Sequence, residues 1–320
     1  MGEGLPTATL GSSGLAVTRL GYGAMSLRGA GSGYPAHLDR AAAGRLLNAV
    51  LDAGINFIDS APVYGVTEEL IGEHLSHRRE EYLLATKIGF AVGQLPVLEP
   101  RTRSGYLHDW SPEGLREELD WSLRTLRTDH IDVLQVASSP PLSSLVASGA
   151  MDVLLELQRA GKFTHLGVTG VTATDIEAQV GGGRYATVQL SYSVLDPLLE
   201  AGMRKAAAEG LGVIVRGGVA QGSLSGETER LRIARSERRE SAASNLLAWS
   251  AAGLDDLLEG EERTTFLLRA TLSHPDVHTT IVGTSRIEHL QDNLDALRRG
   301  PLDASTYGEL RRRLAAVIPA

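Results

Sequence analysis

The chain has 320 residues, 42% hydrophobic and 22% charged, which is ample for a large core. Its formal charge of -8 argues against nucleic acid as a main partner, and with no cysteine it has no disulfide, no thiolate nucleophile and no cysteine-ligated metal. The stretch Met1 to Pro6 lacks the basic start and apolar run of a signal peptide, and no run of about 18 apolar residues offers a membrane span, so the expectation is a cytoplasmic protein with no membrane partner and no metal. No linker-like stretch divides the chain, and a single domain over 1–320 is expected.

In chain order, Thr7 to Thr18 reads as two short strands joined by Gly11-Ser-Ser-Gly14, a hairpin ahead of the main fold. Eight short apolar runs follow, each with the length and flanks of a buried strand: Leu20 to Tyr22, Asn56 to Asp59, Tyr82 to Lys87, Ile131 to Val136, His165 to Val168, Thr187 to Leu190, Gly212 to Val215 and Thr279 to Val282. Segments of helical period lie between them. One runs from Leu38 to Ala53 and starts at Asp39; another begins at Ser111-Pro112, a capping Ser with Pro in the first turn; a third runs from Met151 to Ala160 and stops at Gly161. Strand then helix, eight times over, predicts an α/β fold of the (β/α)8 TIM-barrel type, with the hairpin in front and a C-terminal helix behind. A Rossmann-type sheet would place Gly-x-Gly-x-x-Gly after the first strand, and Gly21-Tyr-Gly-Ala-Met-Ser26 lacks the third glycine. Residues 90–110 and 217–260 interrupt the alternation, the second combining Gly-rich, charged and helical parts, and both are expected at the carboxyl face of the barrel.

Two strands end abruptly in ionisable side chains. Asp59 terminates one, Lys87 the next, and Tyr64 lies in the loop just past Asp59, so a barrel aims all three at one mouth. A cation beside a phenol stabilises phenolate, and a carboxylate holds the ammonium in place, so the trio suits proton exchange at a carbonyl or alcohol. The alternative reading of the same residues is a plain Asp59–Lys87 salt bridge beside a core tyrosine.

With those residues in view, the chain resembles the aldo-keto reductases. Phe57-Ile-Asp-Ser-Ala-Pro-Val-Tyr-Gly65 with Glu68 and Ile71-Gly72 resembles the family signature, and Ala85-Thr-Lys-Ile-Gly89 its lysine strand. Further matches are Ser111-Pro112, Asp129 to Gln135, Gly161-Lys162, Leu166 to Thr169, Val188 to Tyr192, Ile281 to Ser285 and Asp292-Asn293, all in family order over about residues 8 to 318. The resemblance implies hydride transfer between NADP(H) and a small-molecule carbonyl substrate, with Tyr64 as general acid, Lys87 tuning it and Asp59 paired to Lys87. It also implies that Thr169 and Gln189 hold the nicotinamide carboxamide. Arg216 and Gly217 would lie at the pyrophosphate side, and Gly283, Thr284, Ser285, Arg286, His289 and Asn293 would grip the adenosine 2′-phosphate and adenine.

Three positions depart from the family pattern. Gly170 stands where the family has asparagine, Arg216 where it often has an aromatic, and Ala137 where it has a histidine that donates to the substrate carbonyl. Loss of one oxyanion donor typically costs on the order of 10² to 10³ in rate; Ser138, Ser139, a water, His108 and His37 are the candidates to replace it. The readings open at this stage are a ketone or aldehyde reductase, an enzyme acting on an enone or sugar-like intermediate, and a non-redox lyase, epimerase or nucleotide-sensing protein on the same fold. Tyr34, Tyr106, Trp110 and Trp249 are candidates either to face substrate or to anchor their loops.

Overall fold

A computed structural model describes residues 4–29, 39–92, 107–172, 175–224 and 239–318. Strands β1 (Thr7–Thr9) and β2 (Ala16–Thr18) pair antiparallel as the expected hairpin. The next eight strands are β3 (Leu20–Gly23), β4 (Phe57–Asp59), β5 (Leu83–Ile88), β6 (Ile131–Val136), β7 (Phe163–Thr169), β8 (Thr187–Ser191), β9 (Gly212–Arg216) and β10 (Thr279–Val282). They close a barrel in the order β10-β3-β4-β5-β6-β7-β8-β9, and each neighbouring pair is parallel. The fold is the (β/α)8 TIM barrel, and the C-terminal helix, Ala304–Ala315, is present.

The helices begin where local chemistry supplies acceptors for their first N–H groups. Asp39 accepts from the backbone of Ala41 and Ala42 ahead of α1 (Arg40–Asp52), and the Ser111 hydroxyl accepts from Gly114 N at 3.1 Å ahead of α3 (Pro112–Leu126), with Pro112 in the first turn. Between these two lies α2 (Thr67–Leu75). The long helices flanking the strands turn apolar stripes toward the outside of the barrel, as Leu115, Leu119, Leu123 and Leu126 do on α3. No helix among the described residues is long and apolar enough to cross a membrane.

The inside of the barrel is layered by the two-residue period of the strands. Phe57, Ala85, Val133, Ile214 and Ile281 form an apolar floor, capped from below by Leu10 and Val17 of the hairpin segment. The hairpin is tied to the barrel where Ser12 N donates to Gly210 O at 2.7 Å. Two residues further along the same strands stand Asp59, Lys87, Gln135 and Arg216. One step along each strand therefore passes from hydrocarbon to ionisable and amide groups, and the candidate site begins there.

Candidate active site at the barrel mouth

Asp59, on β4, is 3% exposed, and Lys87, on β5, is 5% exposed. The Lys87 ammonium donates to Asp59 Oδ2 at 2.9 Å, to Oδ1 at 3.1 Å and to the Ser60 carbonyl at 2.7 Å. Tyr64 completes the group, its ring centroid 4.8 Å from Lys87 Nζ. Burial alone would lower the Lys87 pKa, but the neighbouring Asp59 and Tyr64 outweigh it and hold the group above its ordinary value. The ammonium therefore stays charged although it is buried in the wall of the barrel.

Tyr64 sits in a tight turn. Its N–H donates to Ala61 O and its carbonyl accepts from Thr67 N, while Ser60 and Thr67 join through their hydroxyls at 2.8 Å. Gly65, at φ +57°, lies so close to the Arg28 carbonyl that a Cβ would meet that oxygen at 2.2 Å, so only glycine lets the turn close on itself.

Asp59 is also the hub of an amide network. Its Oδ1 accepts from Gln135 Nε2 at 2.8 Å and from Gln189 Nε2 at 2.7 Å. Thr169 then donates to Gln189 Oε1 at 3.2 Å across the β7–β8 pair. Five strands, β4 to β8, thus contribute one polar side chain each to a continuous chain from Lys87 to Thr169. In the sequence Gln135 appears only within a motif, and the signal for its role is a lone amide inside the apolar run Ile131 to Val136. Glu118 of α3 was not singled out at all. It is fully buried, and its Oε2 accepts from Gly89 N at 2.6 Å and Phe90 N at 3.0 Å, pinning the chain two residues beyond Lys87. Burial raises its carboxyl well above the usual range, and these two N–H donors offset part of that.

The opposite side of the mouth is apolar. Ala61, Val63, Phe90 and Ala137 cluster, buried, with Tyr64 packed against them. Immediately after Ala137 the chain is strained: Ser138 and Ser139 lie at φ +56° and +47°, two consecutive non-glycine residues in the left-handed region, each costing on the order of 1 kcal/mol or more. Gly170, after β7, has φ +80°, and a Cβ there would meet Ser138 Cα at 2.9 Å. Gln179 Nε2 donates to the Pro140 carbonyl at 2.7 Å and holds the far side of the turn.

The remaining sequence-predicted positions ring the same end. Arg216 ends β9, exposed, in register with Ile281 of β10, and Gly217 follows at φ +81°. Beyond β10, Gly283, Ser285, Arg286 and His289 are exposed and Asn293 half-buried. Thr284 is buried and works within its own turn: its hydroxyl accepts from Arg286 N at 3.0 Å, and its carbonyl accepts from Tyr22 Oη and Ser26 Oγ. The helix Ile287–Arg299 starts at Arg286 with no side-chain cap, so its first N–H groups face outward beside an exposed guanidinium. Arg286 also forms an exposed pair with Glu288 at 3.4 Å.

Two aromatic candidates are anchors. Trp249 belongs to the helix Arg239–Ala251, is 1% exposed, donates to Asp255 at 2.8 Å and packs edge-on against Phe266; it is a core residue and not a substrate-facing loop residue. Trp110 stacks on His108 and lies where a Cβ on Gly89 would strike it, tying down the loop after β5. His108 spends Nδ1 on the Gly89 carbonyl at 2.8 Å. Tyr34, His37 and Tyr106 lie outside the described residues, as does much of both interrupting loops. A groove of about 700 Å³ that includes Arg79, Arg127 and Lys162 opens at the amino ends of the strands, far from the mouth; Arg79 there is already paired to Asp132 and Lys162 to Asp120. Among the described residues no group of three or more His, Asp or Glu could hold a metal ion.

The chain is thus a parallel eight-stranded barrel whose carboxyl end carries a buried lysine, its carboxylate and an adjacent tyrosine, the end at which barrel proteins place their sites. Residues 19–314 match the profile of the Aldo/keto reductase family, and the chain is a member of that family. It is 26% identical over 294 residues to "Uncharacterized oxidoreductase YqkF" of Bacillus subtilis (strain 168), covering 90% of this chain and 89% of that protein. It is 28% identical to "NADH-specific methylglyoxal reductase" of Escherichia coli (strain K12), covering 97% of this chain and 98% of that protein. Among solved structures, the holo form of aldo-keto reductase AKR11C1 from Bacillus halodurans matches with a TM-score of 0.78 at 26% identity, covering 98% of each chain. The chain is thus an oxidoreductase-family protein of a kind that uses a nicotinamide nucleotide.

Proposed function

We propose that the chain reduces the carbonyl of a small ketone or aldehyde with NADP(H), in a cytoplasmic setting, with Tyr64 as the general acid. The observation that carries this reading is the buried Lys87 ammonium, fixed 2.9 Å from Asp59 and 4.8 Å from the Tyr64 ring. A bound nicotinamide supplies the hydride to the carbonyl carbon. The chain handles the proton: Tyr64 gives its phenolic proton to the carbonyl oxygen, Lys87 stabilises the phenolate that remains, and Asp59 keeps the ammonium charged and oriented.

The residues present fit such a nucleotide by their donor sets. Thr169 and Gln189 form a neutral hydroxyl and amide pair at the mouth, complementary to a carboxamide, while Arg216, Arg286 and the uncapped helix start suit phosphates. Asp59, Tyr64 and Lys87 are the proposed catalytic set; Thr169, Gln189, Arg216, Gly217, Gly283, Thr284, Ser285, Arg286, His289 and Asn293 are the proposed nucleotide set. Ala137 leaves an apolar cup where a second donor to the carbonyl oxygen would stand, so proton donation rests on Tyr64.

Single-turnover oxidation of bound NADPH against a panel of aldehydes and ketones tests this. Tyr64→Phe is expected to slow oxidation by about 10² to 10⁴ while leaving NADPH affinity unchanged. Unchanged turnover in that variant would assign the proton to another group, and turnover of substrate without any change in nicotinamide absorbance would move the protein to a non-redox role.

A further inference from the structure

The Thr169–Gln189 pair is partly spent inside the protein. The Thr169 hydroxyl donates its proton to Gln189 Oε1, and one of the two Gln189 N–H groups goes to Asp59. What remains is one N–H donor and three acceptor lone pairs on two oxygen atoms. A carboxamide placed there finds acceptors for its NH2 group but a single donor for its carbonyl oxygen, which takes two.

The strained turn after Ala137 lies beside this pair. Ser138 is exposed at the mouth, and among the described residues no hydrogen bond engages its hydroxyl. Its backbone lies against Gly170, the residue next to Thr169, at a distance that tolerates no side chain at position 170. On the other side its neighbour Ala137 belongs to the cup around Tyr64. Ser138 therefore stands between the proton donor and the amide pair. Two consecutive left-handed residues persist only where the surroundings over-determine them, and here Gly170 beneath and Gln179 on the Pro140 carbonyl do so. From this juxtaposition of Ser138, Gly170 and the half-spent Thr169–Gln189 pair, we infer that Ser138 is a nicotinamide-orienting residue whose hydroxyl donates to the carboxamide oxygen.

This inference rests on the nucleotide reading of the mouth, and its test separates the two. Dissociation constants are measured by fluorescence titration for NADPH and for 2′-phospho-ADP-ribose, which lacks the nicotinamide; NADH and ADP-ribose serve as the unphosphorylated pair. Ser138→Ala is expected to weaken NADPH binding about tenfold, the loss of one hydrogen bond, and to leave the truncated ligand unaffected. Ser138→Asn, which tolerates the left-handed conformation and keeps a donor, should restore most of the affinity. Gly170→Ala, which displaces the Ser138 backbone, should reproduce the Ser138→Ala pattern. Unchanged NADPH affinity in Ser138→Ala, or equal weakening of full and truncated ligands, overturns the inference and leaves the nucleotide reading standing. A wild-type chain that binds none of the four ligands overturns the nucleotide reading itself, and this inference with it.

Discussion

The floor and the mouth of this barrel are built from the same strands two residues apart, yet they obey opposite rules. At the floor, Phe57, Val133, Ile214 and Ile281 meet Leu10 and Val17 and bury hydrocarbon alone. At the mouth, Asp59, Lys87, Gln135 and Gln189 are as deeply buried but survive only because each is hydrogen-bonded to another. The floor is held by packing that any similar volume satisfies; the mouth is held by a network in which each member's loss strands a partner. Stability and chemistry are thus stacked along one axis.

Two substitutions push on that separation. Lys87→Met replaces the cation with an apolar side chain of similar length and leaves the Asp59 carboxylate without its counter-charge. The expected loss is about 3–5 kcal/mol of stability together with a fall in turnover of about 10² to 10⁴, read by urea denaturation and by single-turnover NADPH oxidation. Leu10→Ala, at a side chain that is fully buried, should cost about 2–5 kcal/mol and leave NADPH affinity unchanged in the folded protein. A Leu10 variant with weakened nucleotide binding would show that the floor and mouth are coupled; a Lys87 variant of wild-type stability would mean that Gln135 and Gln189 alone satisfy Asp59.

Much of this arrangement is visible in the amino-acid order. The eight apolar runs appear as strands with ends displaced by a residue or two: Asn56 to Asp59 becomes Phe57–Asp59, and Tyr82 to Lys87 becomes Leu83–Ile88. The seventh strand element starts earlier than its apolar pattern, at Phe163, because pairing to Ile131 extends the ladder through the exposed Thr164. Asp59, Tyr64 and Lys87 stand out because charged and phenolic groups end apolar strands. Gln135 and Glu118 do not. Their meaning depends on what faces them, Asp59 in one case and the Gly89–Phe90 backbone in the other, and those partners lie 76 and 28 to 29 residues away in the chain. The strained Ser138–Ser139 turn is equally silent, since serine carries no mark of left-handed geometry. Trp249 falls to the anchoring alternative, because the helical part of the interval 217–260 packs it on the core.

The outer wall of β5 sharpens the contrast by a third, smaller effect. Thr86, between the inward Ala85 and Lys87, points to the helix layer and donates to Glu68 Oε1 at 2.5 Å. Glu68 is 1% exposed, and burial pushes its carboxyl up to about 7, with Thr86 and the more distant Lys87 charge acting to lower it. The sign follows from proton counting. Between the ordinary carboxylate range and about pH 7 the folded protein holds a proton that the unfolded chain has lost, so stability falls as pH rises through that window, by up to about 1.4 kcal/mol per unit, and stays low above it. Glu68→Gln keeps the acceptor for Thr86 and removes the titration. Denaturation midpoints at pH 5 and pH 8 should therefore move closer together in the variant, Glu118 retaining its own share of the dependence, with Glu68→Gln the more stable protein at pH 8, an advantage of no more than about 3 kcal/mol. An unchanged pH dependence would show that Glu68 holds no proton in the folded protein and would overturn this reading. Convergence would locate a neutral carboxyl behind the charged lysine, so that one strand separates an ion pair inside the barrel from a protonated acid outside it.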